Sequence, residues 1–577
     1  MKYFFKYFRS YLPLMIILVL LIWGQSHVNL TLPDYMSKIV NDGIIKKDIS
    51  AVWQIGYQML LITLFGGLCA IGVGFIAAKV STGFARKLRG AIFERVEQFS
   101  LSEFGNFSPA SLITRITNDM QQIQTVSAMV MRMAFLAPMM GIGSIIKAHN
   151  IAPTMSWIVL VAIGLLTSLI IVLFFIVIPK FTLIQKLVDK LSLETKETLT
   201  GVRVIRAYNN DKKQQQKFDK TNQESIRLNI FVNRIMTLMF PLMTLIMGLS
   251  SMAVIWIGAY AINDGSLKIG DLIALMQYVM QTIMAFLMIS IIFIMIPRAA
   301  VSFKRTIEIL STEPIINDKE NALALPKQIA GIVEFKNVDF GYKGSEESVL
   351  SNISFIAKPG QTTAIIGGTG SGKSTIINLI PRLYDVTSGS ITVDGNDIRN
   401  LKQSSLRKHI GYVPQKALLF SGTIKSNTLY GSNDSGQLES ALEIAQAKDF
   451  VDALPQKING AVSQAGNNFS GGQKQRLSIA RALAKKAEII LFDDSFSALD
   501  FKTDAMLRKA LKSKIKKVTF VIIAQRISTI MHAEQIIVLD KGKIAAIGTH
   551  KELLKTSSIY QEIAKSQLSS DELMENS

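Results

Sequence analysis

The chain has 577 residues, of which 49% are hydrophobic and 18% are charged, and its formal net charge is +20. That length exceeds what one domain needs, and the charged share lies below the roughly one quarter that is usual in soluble proteins. The composition therefore predicts a membrane component. The basic excess fits either nucleic-acid binding or the positive-inside bias of a membrane protein, whereas the single cysteine, Cys69, excludes an intramolecular disulfide and a thiolate metal cluster.

Long apolar stretches fill the first half of the chain. A membrane-spanning helix needs roughly 20 mostly apolar residues, and the sequence predicts six such helices, at about 11–32, 53–79, 126–148, 153–178, 236–262 and 271–296. The first is predicted to be a spanning helix and not a signal peptide, because no small-residue cleavage site follows it and five more spans do. Residues 1–311 are thus predicted to form an all-α transmembrane domain.

Basic residues concentrate before the first predicted span and in two long connections, 80–125 and 180–235. The positive-inside rule places these parts, and both termini, on the cytoplasmic side of what we predict to be the plasma membrane. This bias accounts for much of the positive charge, so no nucleic-acid partner is predicted. Both connections keep helical periodicity, which predicts that the spanning helices continue into the cytosol. Short breaks in them either present a small helix to a partner domain or are simply solvated.

Methionines recur at helical spacing in the fifth and sixth predicted spans, from Met236 to Met247 and from Met276 to Met288. Flexible, polarizable side chains suit a cavity that accepts many apolar compounds. Ordinary packing or lipid contact explains the same pattern and is the preferred interpretation. No charged residue lies clearly in the middle of a predicted span, so a strongly ionic substrate is not predicted.

The composition changes after residue 311. Residues 312–331 are polar and contain two prolines, which predicts a linker. From 332 to 577, short β-branched runs alternate with polar helical segments, a pattern typical of an α/β domain. The chain is therefore predicted to be multidomain, with the six-span domain followed by the linker and the α/β domain.

The α/β part contains a glycine-rich stretch, GGTGSGKST, between a predicted strand and a predicted helix. It satisfies G-x-x-x-x-G-K-[ST], and its context supports a phosphate-binding loop, in which backbone N–H groups close around phosphates at a helix N-terminus. We expect Lys373 to reach the β- and γ-phosphates of a nucleotide and Ser374 to hold Mg²⁺. The predicted nucleotide-binding residues of this loop are Gly367, Gly368, Thr369, Gly370, Ser371, Gly372, Lys373, Ser374 and Thr375.

Two later stretches extend this chemistry. IILFD predicts a buried parallel strand whose last residue, Asp493, holds Mg²⁺ opposite the loop. In FSGGQKQRLSIARAL, Ser470, Gly471 and Gly472 place unhindered N–H groups before a predicted helix, which makes a second anion-binding N-terminus. A simple helix cap is the alternative for this stretch taken alone.

In this order, GGTGSGKST, Gln415 in YVPQ, FSGGQ, IILFD and SALD resemble the nucleotide-binding domain of ATP-binding cassette (ABC) transporters. Six spans with long inner extensions resemble the exporter type of that family, so the resemblance covers nearly the whole chain. It implies a P-loop ATPase coupled to transport, with ATP and Mg²⁺ as cofactors. It also implies a second half-transporter subunit, because two cassettes face each other and each ATP lies between one phosphate loop and the other cassette's SGGQ.

The resemblance assigns further roles. Tyr342 in VDFGY stacks on adenine, Gln415 contacts Mg²⁺ or water and relays the nucleotide state, and Asp500 in SALD crosses the dimer interface. The stretch from Ser470 to Gln473 contacts the partner's nucleotide.

Two positions depart from the family pattern. Asp494 stands where the general base is glutamate, and Gln525 stands where a histidine contacts the γ-phosphate. Aspartate is shorter by one methylene, roughly 1.5 Å, and a misplacement of about 1 Å can cost on the order of a hundredfold in rate. Glutamine can hydrogen-bond a phosphate but carries neither the proton nor the charge of imidazole. The two changes together predict a site that binds ATP and hydrolyses it poorly.

Three functions follow from these features. The preferred one is the degenerate-site half of a heterodimeric multidrug exporter of small amphipathic compounds, whose partner has glutamate and histidine at the matching positions and a poorer SGGQ signature. The second is a homodimeric exporter of lipid or peptide. The third is an ATP-gated channel or sensor, in which binding and not turnover drives the change.

Overall fold

The computed structural model describes residues 7–345, 347–432 and 434–568. The chain divides into two compact units. One comprises the residues up to Glu97 together with Ala110–Ser311, and the other comprises Gln98–Pro109 together with the chain from Thr312 onward. The second unit therefore includes a short piece of the first half of the chain.

The first half of the chain is helical throughout. Its α-helices are α1 (Leu12–Lys38), α2 (Ile49–Glu97), α3 (Leu101–Asn106), α4 (Pro109–Ile116), α5 (Asn118–Ile151), α6 (Ser156–Thr200), α7 (Val202–Ala207), α8 (Asp211–Asn263) and α9 (Ile269–Ser311). A π-helix, Ile39–Ile44, extends α1, and short 3-10 turns, Arg9–Tyr11 and Pro153–Met155, precede α1 and α6.

Six helical segments in the described part of the chain are long and apolar enough to cross a membrane: Arg9–Ile44, Ile49–Glu97, Pro109–Ile151, Pro153–Thr200, Asp211–Asn263 and Ile269–Ser311. Each contains one of the six predicted spans, so the predicted six-span all-α architecture is confirmed. The second, fourth and fifth segments extend well beyond the roughly 20 residues that a bilayer requires, as their sequence periodicity predicts.

Large aromatic side chains mark one end of this bundle. They lie near the starts of α2 and α6 and the end of α8, and all are exposed: Trp53, Tyr57, Trp157, Trp256 and Tyr260. Tryptophan and tyrosine concentrate at membrane interfaces, where an apolar ring and a polar atom are both accommodated. We therefore take this belt as one boundary of the apolar layer.

A charged cluster that sequence reasoning missed joins α1, α5 and α9. The Lys147 ammonium lies 2.6 Å from a carboxylate oxygen of Asp34, and the Tyr278 hydroxyl donates to the other oxygen at 2.6 Å. The first predicted span ends before Asp34, and Lys147 lies near the end of the third. Asp34 and Lys147 are far apart in sequence, so no local sequence pattern indicates that they form an ion pair.

We expect Lys147→Met to lower the stability of the transmembrane unit. Removing one partner of a fully buried pair costs 3–5 kcal/mol, and we expect about 2 kcal/mol here, because the side chains are 37% and 28% exposed. Thermal unfolding in detergent measures the loss. The double variant with Asp34→Asn removes both charges and should recover most of the stability; a single variant as stable as the parent would contradict the prediction.

The short segment Gln98–Pro109 belongs to the second unit through a buried carboxylate. Ser100 begins α3 with a capping box, in which Glu103 accepts from the Ser100 N–H at 2.6 Å. The other Glu103 oxygen accepts from the N–H of Ile315 at 3.2 Å. Glu103 thus connects this segment to residues just after α9.

The described residues of the second unit form three sheets. Its strands are β1 (Val333–Phe340), β2 (Leu350–Ala357), β3 (Thr362–Gly367), β4 (Ser388–Val393), β5 (Asn396–Asp397), β6 (Ile410–Val413), β7 (Gly422–Thr423), β8 (Ala461–Val462), β9 (Ile489–Asp493), β10 (Thr519–Ile523), β11 (Gln535–Asp540) and β12 (Lys543–Gly548). One sheet has the order β2-β1-β4-β5, the main sheet has the order β12-β11-β3-β10-β9-β6, and β7 pairs with β8. All pairs of the main sheet are parallel except β11 with β12.

Helices cover one face of the main sheet, and helices together with the four-stranded sheet pack on the other. The α-helices of this unit after the linker are α10 (Lys373–Leu379), α11 (Gln403–Lys408), α12 (Ile424–Thr428), α13 (Leu438–Ile444), α14 (Lys448–Asp452), α15 (Gly471–Ala484), α16 (Phe501–Lys514), α17 (Ile527–Ile530), α18 (His550–Thr556) and α19 (Ser558–Lys565). This α/β architecture confirms the predicted fold of the second half.

Strand β9 shows why IILFD is apolar throughout. Ile490 and Phe492 pack in one hydrophobic cluster, and Ile489 and Leu491 pack in the other. Both faces of a parallel sheet covered by helices are buried, so the alternation seen in half-exposed strands is lost.

Candidate nucleotide site

The glycine-rich loop between β3 and α10 needs glycine for two separate reasons. Gly370 and Gly372 have φ values of +81° and +95°, which L side chains rarely adopt. At Gly367, a Cβ would lie 2.2 Å from the carbonyl oxygen of Leu539. A Cβ on Gly368 or Gly370 would meet nothing within 4 Å. These two glycines and Thr369 form an exposed rim of the loop, and this rim can receive a ligand.

Lys373 lies folded along this loop. Its ammonium donates to the carbonyl oxygens of Gly367 at 2.9 Å and Gly368 at 2.7 Å. Burial lowers the pKa of this ammonium, and the carboxylates of Asp494 and Asp493 act in the opposite direction. The ammonium of Lys373 therefore lies between the loop carbonyls and the two carboxylates.

Ser371 provides the observation that tests whether a phosphate fits. Its side chain is 4% exposed, and its hydroxyl has no hydrogen-bond partner among the described residues. A buried polar group without a partner is costly. A phosphate oxygen in the loop would supply the missing acceptor, so the residues present fit a nucleotide phosphate.

Ser374 and Asp493 form an oxygen pair beside the loop. The Ser374 hydroxyl donates to a carboxylate oxygen of Asp493 at 2.8 Å, and burial raises the pKa of Asp493. Magnesium prefers oxygen ligands and is usually bound through one or two protein groups plus phosphates. No group of three or more His, Cys, Asp or Glu side chains suited to a metal occurs in the described part of the chain.

One carboxylate oxygen of Asp494 accepts hydrogen bonds from two glutamine side chains. Gln525 Nε2 donates to Asp494 Oδ2 at 2.7 Å, and Gln415 Nε2 donates to the same oxygen at 3.3 Å. The strand register explains this meeting: Val413 pairs with Phe492 and Ile523 pairs with Asp493, so the residues that follow β6, β9 and β10 meet beyond the sheet edge. In open α/β sheets ligands bind at this edge.

The backbone also holds Asp494. Its φ is +47°, a left-handed conformation that is uncommon for a residue with a side chain and often occurs at functional sites. Its N–H donates to the carbonyl of Ile523 at 3.1 Å, and its carbonyl accepts from the Ser497 hydroxyl at 2.9 Å. The carboxylate is therefore fixed at both the main chain and the side chain.

Tyr342 is 39% exposed beside the phosphate loop. Its hydroxyl pairs with the hydroxyl of Thr375, with 3.0 Å between the oxygens, and its ring meets Tyr384 edge-on at 5.4 Å. The ring is thus held by its edges, and its position near α10 suits stacking on a base.

The SGGQ stretch forms a complete N-terminal cap on α15. The Ser470 hydroxyl accepts from the Gln473 N–H at 3.3 Å, and the Gln473 side chain accepts from the Ser470 N–H at 2.9 Å. A Cβ added to Gly471 would meet nothing within 4 Å, and one on Gly472 would contact only the Ala498 carbonyl at 3.4 Å. The helix-cap interpretation of this stretch is therefore correct, and the helix start is also open to an external ligand.

Asp500 likewise begins a helix. Its carboxylate accepts from the Thr503 N–H at 3.1 Å at the start of α16, and hydrogen bonds from Thr503 lower its pKa. Among the described residues, the hydrogen bonds of Asp500 and of Ser470 to Gln473 stay within their own helix starts. The structure thus gathers the phosphate loop, Asp493, Asp494 and the two glutamines, and it leaves SGGQ and Asp500 outside that group.

The fold and site define a membrane protein with a phosphate-loop nucleotide-binding unit. The chain matches the ABC transporter transmembrane region family over residues 15–286 and the ABC transporter family over residues 350–497. It is 38% identical over 567 residues to an uncharacterized ABC transporter ATP-binding protein of Mycobacterium tuberculosis, covering 97% of both chains. It is 30% identical over 547 residues to an ATP-dependent lipid A-core flippase of Syntrophus aciditrophicus, covering 93% of this chain and 89% of the relative.

A solved structure of a bacterial Atm1-family ABC exporter with ATP bound has the same fold, with a TM-score of 0.82 at 24% identity and coverage of 97% of this chain and 99% of that one. The chain belongs to the ABC transporter family. It has the architecture of an exporter half-transporter, is a multi-pass membrane protein, and is an ATP-binding ATPase coupled to transport. ABC exporters work as dimers in a lipid bilayer, so a single chain of this kind is half of a working unit.

Proposed function

We propose that this chain is the degenerate-site half of a heterodimeric plasma-membrane exporter of small amphipathic compounds, of the multidrug type, with both termini in the cytoplasm. One observation carries the proposal: two glutamine amides donate to the same oxygen of Asp494. The two donors take up the hydrogen-bond acceptor positions of that oxygen, so an attacking water cannot use it. A short, hydrogen-bonded aspartate is poorly suited to take a proton from an attacking water.

The second glutamine position strengthens this argument. Gln525 occupies the place that the family gives to a histidine, and its amide binds Asp494. An amide does not take up a proton near neutral pH, whereas imidazole does. Asp494 is one methylene shorter than the family's glutamate, and Gln525 cannot transfer a proton. Hydrolysis at this site is therefore slow.

Binding of ATP does not need either residue to be a catalyst. The open rim of the loop, the Ser371 hydroxyl and the Lys373 ammonium would hold the phosphates, and Tyr342 would stack on the adenine. Ser374 and Asp493 would hold Mg²⁺, with Gln415 nearby, and the ion would neutralise charge on the β- and γ-phosphates. The site is thus built to retain ATP.

The intact SGGQ explains what the chain contributes to hydrolysis. Open backbone N–H groups at the start of α15 suit the phosphates of a nucleotide on the facing cassette. The proposed partner has glutamate and histidine at the positions of Asp494 and Gln525. Its site, completed by Ser470 to Gln473 of this chain, would perform most of the turnover and reset the transmembrane helices.

A homodimeric lipid exporter is the second candidate. It is favoured by the relatives described as ATP-dependent lipid A-core flippases, which are 30% and 31% identical to this chain. A lipid is itself amphipathic, so the two candidates differ mainly in the partner. Affinity purification of the tagged chain from its own membranes, followed by identification of the copurifying half-transporter, separates them.

We expect Asp494→Asn to leave at least about half of the ATPase activity of the assembled transporter, because hydrolysis at the partner's site does not use this carboxylate. Asparagine keeps the size of the side chain and its hydrogen-bonding oxygen, so the loop conformation is preserved. Steady-state ATPase of the purified complex in nanodiscs measures the effect. Near-complete loss would show this site to be the main hydrolytic centre and would overturn the proposal.

A further inference from the structure

The loop that carries Gln525 is held by a side chain from the end of the described chain. Gln567 Nε2 donates to the carbonyl oxygen of Gln525 at 2.8 Å, and Gln567 Oε1 accepts from the N–H of Ile527 at 2.8 Å. One amide therefore binds the peptide groups on both sides of Arg526. Arg526 is the N-cap of α17 and makes no side-chain cap bond, so Gln567 satisfies an N–H that the helix leaves free.

Gln567 is attached to a well-anchored element. In α19, Tyr560 and Ala564 are fully buried, and the Tyr560 hydroxyl pairs with His550 Nδ1 at 2.7 Å. After the helix, the N–H of Gln567 donates to the Ala564 carbonyl at 3.1 Å, and Leu568 packs against the core. The amide of Gln567 thus extends from a rigid support and not from a free tail.

Gln525 is also bound through its side chain, which lies in the nucleotide site. The side chain of Gln525 donates to Asp494 at 2.7 Å, while its carbonyl is bound by Gln567. A third contact, from Arg508 Nη1 to the Ser528 carbonyl at 2.8 Å, holds the loop from α16. The position of the Gln525 amide is therefore set by Asp494 on the side-chain end and by Gln567 on the main-chain end.

We propose that Gln567 is a positioning residue of the nucleotide site: it fixes the main chain at Gln525 so that the Gln525 side chain stays against Asp494 and the terminal phosphate of bound ATP. This inference rests on the proposed function for the assignment of Gln525 to that phosphate. It extends the site to the segment just after α19, which lies outside the motifs named above.

The test compares nucleotides that differ by the terminal phosphate. The full-length chain in nanodiscs is titrated with ADP and with a non-hydrolysable β,γ-imido analogue of ATP. We expect Gln567→Ala to weaken binding of the triphosphate about three- to tenfold, the range expected for loss of one hydrogen bond, and to leave the ADP affinity unchanged. A damaged cassette would lose affinity for both nucleotides. The ratio of the triphosphate affinity to the ADP affinity therefore separates a loss of positioning, which lowers the ratio, from a loss of folding, which does not.

Two further variants locate the effect. Gln567→Glu can still accept from the Ile527 N–H but cannot donate to the Gln525 carbonyl, so it should resemble Gln567→Ala. If it resembles the parent, capping of α17 is the whole role and the proposal fails. Gln561→Ala is the matched control, because Gln561 lies in α19, just before Gln567, and donates to the Leu554 carbonyl at 2.7 Å, away from the loop.

A variant of Gln525 separates this proposal from the proposed function. If Gln525→Ala leaves the ratio of the two affinities unchanged, Gln525 does not contact the terminal phosphate and the functional assignment fails. If Gln525→Ala lowers the ratio but Gln567→Ala does not, only the positioning role is overturned. If both lower it and the double variant falls no further than Gln525→Ala, Gln567 acts through Gln525 as proposed.

Discussion

Gly471→Glu in this chain should reduce the ATPase activity of the assembled transporter by about a hundredfold or more. Loss of contact with a single preorganised donor to a charged transition state typically costs 10²–10³ in rate, and a glutamate side chain would repel the partner's phosphates from the N–H groups at this helix start. The substitution is tolerated by the fold, since a Cβ at Gly471 meets no atom within 4 Å and an acidic residue in the first turn favours a helix.

ATPase activity and thermal unfolding of the same complex measure this prediction. Gly471→Ala fits the same space without the charge and serves as the control, with a clearly smaller loss expected. Ser470→Ala provides a contrast, because it also removes the cap of α15, a loss of about 0.5–2 kcal/mol. Full activity of Gly471→Glu would show that the partner's site does not use this helix start.

Asp494→Glu combined with Gln525→His should increase hydrolysis at this chain's own site by up to about a hundredfold, the rate that a 1 Å misplacement can cost. Glutamate adds the missing methylene, and histidine supplies a group that can carry a proton. The same change removes one of the two amides that now bind Asp494, so an oxygen of the new carboxylate becomes available to an attacking water.

Gly471→Glu provides the background for this measurement. With the partner's site silenced, the remaining turnover comes from the site of this chain, and the double substitution should raise it. Adding Lys373→Ala should abolish the gain, since Lys373 belongs to the same site. An unchanged rate would place the slow step in the partner's SGGQ and not in Asp494 and Gln525.

The sequence predicts the parts of this site better than their assembly. IILFD is correctly predicted as a buried strand because both of its faces are apolar and its last residue belongs to a motif. That Gln415 and Gln525 converge on one oxygen of Asp494 depends on the register of three parallel strands. Register between strands far apart in sequence is a tertiary property, and no local pattern specifies it.

Two other features escape sequence reasoning for related reasons. Asp34 and Lys147 lie at the margins of predicted spans, and their pairing at 2.6 Å is visible only when α1 and α5 are packed together. Gln567 is separated from Gln525 by 42 residues, and a polar residue after a C-terminal helix carries no local signal of function. Pairings of this kind require the fold itself.

Lys373 shows how the phosphate loop selects its ligand. Its ammonium already has two acceptors, the carbonyls of Gly367 and Gly368. These carbonyls compete with an incoming ligand for the ammonium. An incoming molecule succeeds only if it offers the ammonium better acceptors than two neutral carbonyls, and charged phosphate oxygens do so because hydrogen bonds to ionised groups are about twice as strong. Adenosine, with no phosphate, leaves the lysine where it is. Discrimination for the polyphosphate tail is therefore an exchange of partners within the loop and does not depend on a closely fitting cavity.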